Sequence, residues 1–364
     1  MNKKVLLRAT GLLPPAKGNY RQGIGRANFE LLRAILEKEY SGIDYSFYCN
    51  QIGKPFYRFS EWPIKNYWNI LPYRLNDFCD LEARWRKLFT KYDLFHITDN
   101  YAQVYDGERF VVTIHDMKLF EEKPRSRNLF EKMSKKSLGI VTCSTYTKSE
   151  IIRVLGTDPD KITVIPWGIN HDLFHLRSKD IVDSLKAKLR IEGEYFFSCS
   201  CAHPRKNAID ILKAFRVFRE KYKDISLVLT WGNVPSFIEE EFKKEIEERS
   251  VIILDYVDDS DLATLYSGAL ASFLVSSLEG FGFPVLESMA CGTNCITCKN
   301  SSLTEIGGKF AYFVKEHDID DIAAAMGYFC DKGKENTDKL ISYAKSFSWA
   351  NTASSYIDFY NKFI

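Results

Sequence analysis

Short β-rich apolar runs alternate with amphipathic helical stretches along almost the whole chain. In the first half the runs fall at 4–9, 43–49, 94–97, 110–114, 140–143 and 162–165, with helical spacing clearest at 27–39 and 145–155. The rhythm resumes after residue 190 with runs at 195–200, 226–230, 251–254, 271–275 and 294–297, separated by helical stretches such as 209–222 and 237–249. Unbroken apolar runs read as strands covered on both faces, and their alternation with helices predicts parallel α/β sheets. Two sheets are expected, and the polar stretch 170–188 is their natural boundary. Ligands of such sheets bind outside the carboxyl ends of the strands, so two facing sheets predict a shared cleft.

Composition narrows the class. A chain of 364 residues suits two domains, and 45% hydrophobic with 27% charged residues is ordinary for a globular protein. A net charge of +2 supplies no global attraction for nucleic acid, which is not expected as a partner. No run of about 18 apolar residues predicts a membrane span. The opening Met-Asn-Lys-Lys-Val-Leu-Leu is broken at Arg8 and reads as a buried strand rather than a leader. The nine cysteines show no disulfide framework. Cys291, Cys295 and Cys298 lack a second pair at metal-ligand spacing, so buried thiols of a reducing cytoplasm are expected and no metal.

The segment 54–91 breaks the rhythm. It carries eight Lys/Arg against four Asp/Glu among many aromatics, including Trp62, Trp68 and Trp85. Such a surface suits an anionic membrane face or a lipid-linked phosphate, but with no clean helical moment the plainer reading is a long loop with packed aromatics and solvated charges.

The stretch Glu279-Gly280-Phe281-Gly282-Phe283-Pro284-Val285-Leu286-Glu287 follows a strand and opens a helix, with Pro284 suited to the first turn and Gly292 to the stop. Two glycines ahead of a helix N-terminus expose N–H groups beside a positive dipole end, which is a phosphate cradle. By itself the stretch fits equally a glycine-rich turn with two solvated glutamates. Asp158-Pro159-Asp160, Asp259-Ser260-Asp261 and Asp318-Ile319-Asp320 match a metal-binding pattern literally, but each stands at a helix start and is expected to cap it.

This stretch resembles the Glu-x7-Glu motif of the retaining GT-B glycosyltransferases of family 4, the glycosyl transferases of group 1. The resemblance continues through Gly23-Ile24-Gly25-Arg26, Val112-Thr113-Ile114-His115-Asp116, Val164-Ile165-Pro166-Trp167-Gly168, Pro204-Arg205-Lys206-Asn207 and Ser301-Ser302-Leu303-Thr304-Glu305. It implies a GT-B fold of two Rossmann-like β/α/β domains facing a central cleft. The expected division is an acceptor-binding domain over 1–172 and a nucleotide-sugar-binding domain over 173–349, with the last helix, 350–364, crossing back to the first.

The same resemblance implies the roles. Arg205 and Lys206 bind the donor diphosphate in place of a metal, although the stretch alone reads rather as an exposed basic turn capping the next helix. Glu287 holds the ribose hydroxyls, while Glu279 and the backbone of Gly280, Phe281 and Gly282 face the transferred sugar. His115 faces the reacting side of that sugar, and a lone histidine there is as often a packing residue. Gly23 and Gly25 let a loop approach the phosphates, and the backbone near Tyr256 and Val257 meets the base. The Arg-Lys pair stands slightly later than is common in the family, a form familiar among mannosyltransferases. The expected reaction is metal-independent hexose transfer from a nucleotide sugar, GDP-mannose ahead of UDP- or dTDP-sugars. The expected acceptor is a glycan or lipid-linked glycan, and the expected location is the cytoplasm or its membrane face. A UDP-sugar 2-epimerase and a non-catalytic sugar-nucleotide-binding protein are the rival readings.

Overall fold

The computed structural model describes residues 2–9, 23–37, 42–50, 65–69, 81–100, 102–118, 120, 124–199, 201 and 203–364. The chain divides into two units, Met1–Gly168 with Trp349–Ile364, and Ile169–Ser348.

The first unit contains strands β1 (Lys3–Arg8), β2 (Ile43–Asn50), β3 (Lys65–Asn69), β4 (Leu94–Ile97), β5 (Phe110–Thr113), β6 (Gly139–Thr142) and β7 (Ile162–Val164). They form one sheet in the order β3-β2-β1-β4-β5-β6-β7, and each neighbouring pair is parallel. Helices α1 (Ile24–Leu36), α2 (Leu81–Phe89), α3 (Pro124–Lys136) and α4 (Thr145–Leu155) belong to this unit. Val5, Leu6 and Leu7 are all fully buried, because both faces of a parallel sheet are covered. α4 starts at Ser144, whose hydroxyl accepts from the Thr147 N–H, and ends on left-handed Gly156.

The second unit contains α5 (Lys179–Leu189), β8 (Glu194–Ser198), α6 (Ala208–Phe218), β9 (Ile225–Thr230), α7 (Ser236–Glu241), α8 (Lys243–Glu247), β10 (Val251–Leu254) and α9 (Asp259–Gly268). It continues with β11 (Ser272–Leu274), α10 (Phe283–Ala290), β12 (Cys295–Cys298), α11 (Leu303–Gly307), β13 (Tyr312–Val314), α12 (Ile319–Lys332) and α13 (Thr337–Lys345). The sheet order is β10-β9-β8-β11-β12-β13, again parallel throughout. Its strand order reverses between β8 and β11, which is where an open α/β sheet parts its loops to admit a ligand.

The last helix, α14 (Trp349–Asn361), joins the first unit and packs on α1. Buried His96 of β4 bonds through Nδ1 to the Tyr360 hydroxyl at 2.7 Å and through Nε2 to the Thr113 hydroxyl at 2.8 Å. Thr352 donates to the Pro166 carbonyl at 2.8 Å.

Several expectations are corrected. Strands β3 and β13 have no counterpart in the hydrophobic pattern. The helix expected over 237–249 breaks at Phe242, whose buried ring lies 4.4 Å beneath the Arg216 guanidinium. The polar stretch 170–188 opens the second unit, which begins at Ile169, and holds most of α5. Of the basic segment 54–91, residues 54–64 and 70–80 lie outside the described residues. Within the described part Arg86 is not a solvated charge. Its side chain is fully buried and forms a bidentate pair with Glu108 at 2.8 and 2.9 Å. The three Asp-x-Asp stretches lie at helix starts: Asp158 accepts from the Asp160 N–H and Asp318 from the Asp321 N–H. Asp258, one residue ahead of its stretch, accepts from the Asp261 N–H and caps α9. Cys291, Cys295 and Cys298 are buried free thiols, pushed up to about 12 by burial.

Candidate functional site

Two loops meet where the second sheet reverses its strand order. One follows β8 and carries the single 3-10 turn Pro204–Lys206, started by His203, whose ring nitrogen accepts from the Arg205 N–H at 3.3 Å. The other follows β11 and runs through Ser276–Gly282 into α10. They are tied by backbone: the Ser277 N–H donates to the Arg205 carbonyl at 2.9 Å. Asn207, with φ of +50°, sends its side-chain amide to the Val275 carbonyl at 2.9 Å and the Ser277 hydroxyl at 3.1 Å. Asparagine tolerates that backbone region better than most residues, which is why it can end the basic turn and begin α6.

The Glu279 carboxylate lies between the two basic side chains. Arg205 Nη1 is 2.8 Å from its Oε2 and Lys206 Nζ 2.6 Å from its Oε1, with the Ser276 hydroxyl donating to Oε1 at 2.8 Å. Burial, the largest single influence, pushes the Glu279 carboxyl up. Lys206 and Arg205 together outweigh it and hold the carboxyl below its usual range. Glu279 is 7% exposed and Glu287 3% exposed, which removes the reading of two solvated glutamates. Glu287 stands on α10 and receives a long hydrogen bond, 3.4 Å, from the Tyr266 hydroxyl of α9.

The glycine loop is braced from the far side by the turn after β12. The Glu279 N–H donates to the Ser301 hydroxyl at 3.2 Å. The Ser302 hydroxyl lies 2.8 Å from the carbonyls of both Glu279 and Phe281. Gly282 has φ of +113°, a backbone region that favours glycine, and a Cβ there would press on the Leu303 side chain at 3.0 Å. Pro284 occupies the first turn of α10 and left-handed Gly292 follows its end. Tyr256 and Val257 stand in the loop after β10, with the Tyr256 side chain half exposed.

In the first unit, His115 lies just beyond β5 and is 2% exposed. Its N–H donates to Asn100 Oδ1 at 2.8 Å, and its Nε2 lies 2.8 Å from the Thr98 carbonyl. A carbonyl only accepts, so Nε2 carries the proton. Burial holds the imidazole below its usual pKa. Nδ1 is therefore a lone-pair acceptor, buried and without a partner among the described residues. The ring packs against Trp167 at 5.3 Å. Gly23, with φ of +52°, precedes α1, whereas Gly25 lies inside its first turn and is not part of a free loop.

Family profiles match two segments: Glycosyltransferase Family 4 over residues 21–173 and Glycosyl transferases group 1 over residues 182–347. The chain belongs to the group 1 glycosyltransferases. This glycosyltransferase is 27% identical to O-antigen chain mannosyltransferase B of Escherichia coli, over 93% of this chain and 95% of that one. It superposes on the sucrose-phosphate synthase of Thermosynechococcus elongatus with a TM-score of 0.76 at 16% identity, covering 99% of this chain and 98% of that one. HepE of Anabaena, solved with UDP and glucose, gives 0.73 at 14% identity over 99% and 100% of the two chains. At such identities these two structures establish the fold, which is GT-B.

Of the residues singled out in the glycosyltransferase sequence, Arg205, Lys206 and Glu279 come together in one ion cluster. Glu287 is positioned by the helix that the same loop begins. Ser276, Ser301, Ser302 and Asn207 brace this site and were given no role from sequence. A signal for them existed, since every N–H and C=O of an irregular loop beside a buried carboxylate needs a partner, and Ser and Asn supply it. Chemically, the cluster offers two cations against one carboxylate at a strand-end loop, an arrangement suited to a doubly anionic group.

Proposed function

We propose that this glycosyltransferase moves a mannosyl residue, with retention of anomeric configuration and without a metal, from GDP-mannose to a glycan acceptor. The carrying observation is the Arg205–Glu279–Lys206 cluster on the loops at the sheet's strand reversal. The likeness to an O-antigen chain mannosyltransferase over nearly the full length of both chains supports mannose and a polysaccharide acceptor.

In this reading Arg205 and Lys206 bind the donor diphosphate, and Glu287 takes the ribose hydroxyls. The loop at Tyr256 and Val257 meets the base, and Glu279 with the backbone of Gly280, Phe281 and Gly282 meets the mannose. Gly23 and Gly25 stand at the N-terminus of α1, where helix N–H groups favour an anion. His115, in the first unit, offers Nδ1 as a hydrogen-bond acceptor for a hydroxyl group. The bond from the anomeric carbon to the diphosphate oxygen breaks with its electron pair going to the phosphate. The acceptor oxygen then bonds to the same face of that carbon and its proton passes to the departing phosphate oxygen. The two cations stabilise the charge that grows on the leaving group.

The test is transfer by purified protein from GDP-mannose, UDP-glucose and UDP-GlcNAc to lipid-linked and free oligosaccharides, with a chelator present. Retained activity with GDP-mannose supports the reading. Release of an epimerised sugar from UDP-GlcNAc without acceptor would favour the epimerase instead.

A second observation favours work at a membrane face. Leu88 and Phe89 at the end of α2 are 76% and 60% exposed, and Arg84, Lys87 and Lys91 beside them are exposed cations. Apolar side chains ringed by cations suit an anionic bilayer surface. Among the described residues no helix is long and apolar enough to cross a membrane. Co-sedimentation with phosphatidylglycerol vesicles, lost in Leu88→Ser/Phe89→Ser, checks this contact.

A further inference from the structure

We propose that Glu279 is a competing counter-ion that weakens the hold of Arg205 and Lys206 on a nucleoside diphosphate, so that the spent nucleotide leaves. The inference rests on the reading that these two cations bind the donor diphosphate, and it adds a task for the carboxylate besides sugar contact. Three observations carry it.

The first is that one carboxylate engages both cations through separate oxygens, Oε2 with Arg205 at 2.8 Å and Oε1 with Lys206 at 2.6 Å. A phosphate reaching either cation therefore meets charge that is already partly offset. The second is that the carboxylate is anchored independently of the cations. Ser276 donates to Oε1, and the Glu279 backbone is held on both sides, its N–H by Ser301 and its carbonyl by Ser302. A carboxylate fixed in this way stays beside the cations rather than swinging aside. The third is that both basic side chains retain more solvent access than the nearly buried Glu279, so an anion can reach the cations.

Like charges close together in a low-dielectric site repel strongly, and a buried cation whose counter-ion is removed attracts any anion that can replace it. Glu279 therefore sets a ceiling on affinity for a free diphosphate. A nucleotide sugar recovers part of that loss, because its sugar hydroxyls donate to the same carboxylate. The product lacks them. The cluster thereby favours donor over product, and uniform tight binding of the product would only slow turnover.

The experiment is calorimetric titration of GDP, UDP and the corresponding monophosphates into the full chain, as wild type, Glu279→Gln, Lys206→Ala and the double variant. Glu279→Gln keeps shape and removes charge. It is expected to bind the preferred diphosphate about tenfold tighter, the scale of a close charge pair at a binding site. The gain is expected to shrink in the Lys206→Ala background and to be smaller for the monophosphate. Turnover falls, and the free diphosphate becomes a stronger product inhibitor. Equal or weaker diphosphate binding by folded Glu279→Gln overturns the proposal. If that variant fails to fold, judged by its melting, Glu279→Asp carries the test: its shorter arm draws the charge away from both cations, and unchanged or weaker binding again overturns the idea. Failure of the underlying reading looks different. There the wild type binds neither diphosphate, or Lys206→Ala binds it as well as the wild type does.

Discussion

Each unit holds a cluster of arginine and carboxylate, and the two clusters are built for opposite ends. In the first unit the side chains of Arg86 and Glu108 are 0% exposed, paired through two bonds. Arg86 also donates to the Gln103 carbonyl at 2.7 Å and lies 4.0 Å from the Phe95 ring centroid. Tyr92 adds a hydroxyl to Glu108 at 2.5 Å, and Glu82 lies 3.6 Å from Arg86 Nη1. In the second unit a single carboxylate stands between two cations whose side chains are 30% and 12% exposed. The first cluster spends its charge on neighbours within the unit, whereas the second keeps an excess cation at a strand-end loop. Residue types alone do not separate an internal brace from an anion site; the ratio of charges and their access to solvent do.

The comparison can be broken by removing one cation from each cluster. Arg86→Ala is expected to cost about 3–5 kcal/mol of stability by leaving Glu108 buried and unpaired, read by denaturant unfolding. If it leaves stability unchanged and abolishes diphosphate binding instead, the contrast between the clusters is wrong. Lys206→Ala is expected to lower turnover by about 10²–10³-fold with a far smaller loss of stability, since it removes charge stabilisation from the leaving group. Glu287→Ala is expected to weaken donor binding, measured by titration, without changing the inhibition pattern of inorganic pyrophosphate.

Acid sharpens the contrast. Burial holds the His96 imidazole at about 3 and also depresses His115, both in the first unit. Below the free-histidine value of about 6.5 the unfolded chain takes up protons that these folded rings refuse. Their stabilisation is complete above that pH; for His96 it is lost as pH falls from about 6.5 toward 3, and for His115 as pH falls from about 6.5 through its own lowered value. His171 of the second unit is depressed too, though it is only partly buried. Glu279 behaves oppositely in range: its stabilisation holds above the unfolded carboxylate pKa and fades only as pH drops through its own lower value. Melting at pH 7.5 and 5 is expected to show a fall that His96→Gln reduces. The smallest effect concerns the helix starts. Asp318→Ala is expected to cost about 1 kcal/mol, the worth of an N-cap, with turnover unchanged in the presence or absence of a chelator.

Much of this was legible in the chain. Strands 94–97 and 251–254 and helix 145–155 have the expected bounds, and the other matched elements shift by a few residues at their ends. Long apolar runs and a Ser-to-Gly helix with its caps carry their own local instructions. Two strands escaped: β3, which sits in an aromatic, basic stretch that does not alternate cleanly, and the three-residue β13. Arg86 was misread because a charge in a helix of mixed composition is normally solvated, and nothing local reveals Glu108, twenty-two positions away, as its partner.

The motif order in the sequence determined the family, and the glycine, proline and capping residues determined where α10 begins and ends. Those are local properties, set by backbone angles and by hydrogen bonds within a few residues. Only the tertiary structure decided that Lys206 and Arg205 close on Glu279, seventy-three and seventy-four positions later, with Ser301 and Ser302 holding the loop from a third strand end. The reason lies in the parallel sheet. Placing β8 next to β11 and β11 next to β12 brings three distant loops to one edge, and a charge's partner is whatever stands beside it there.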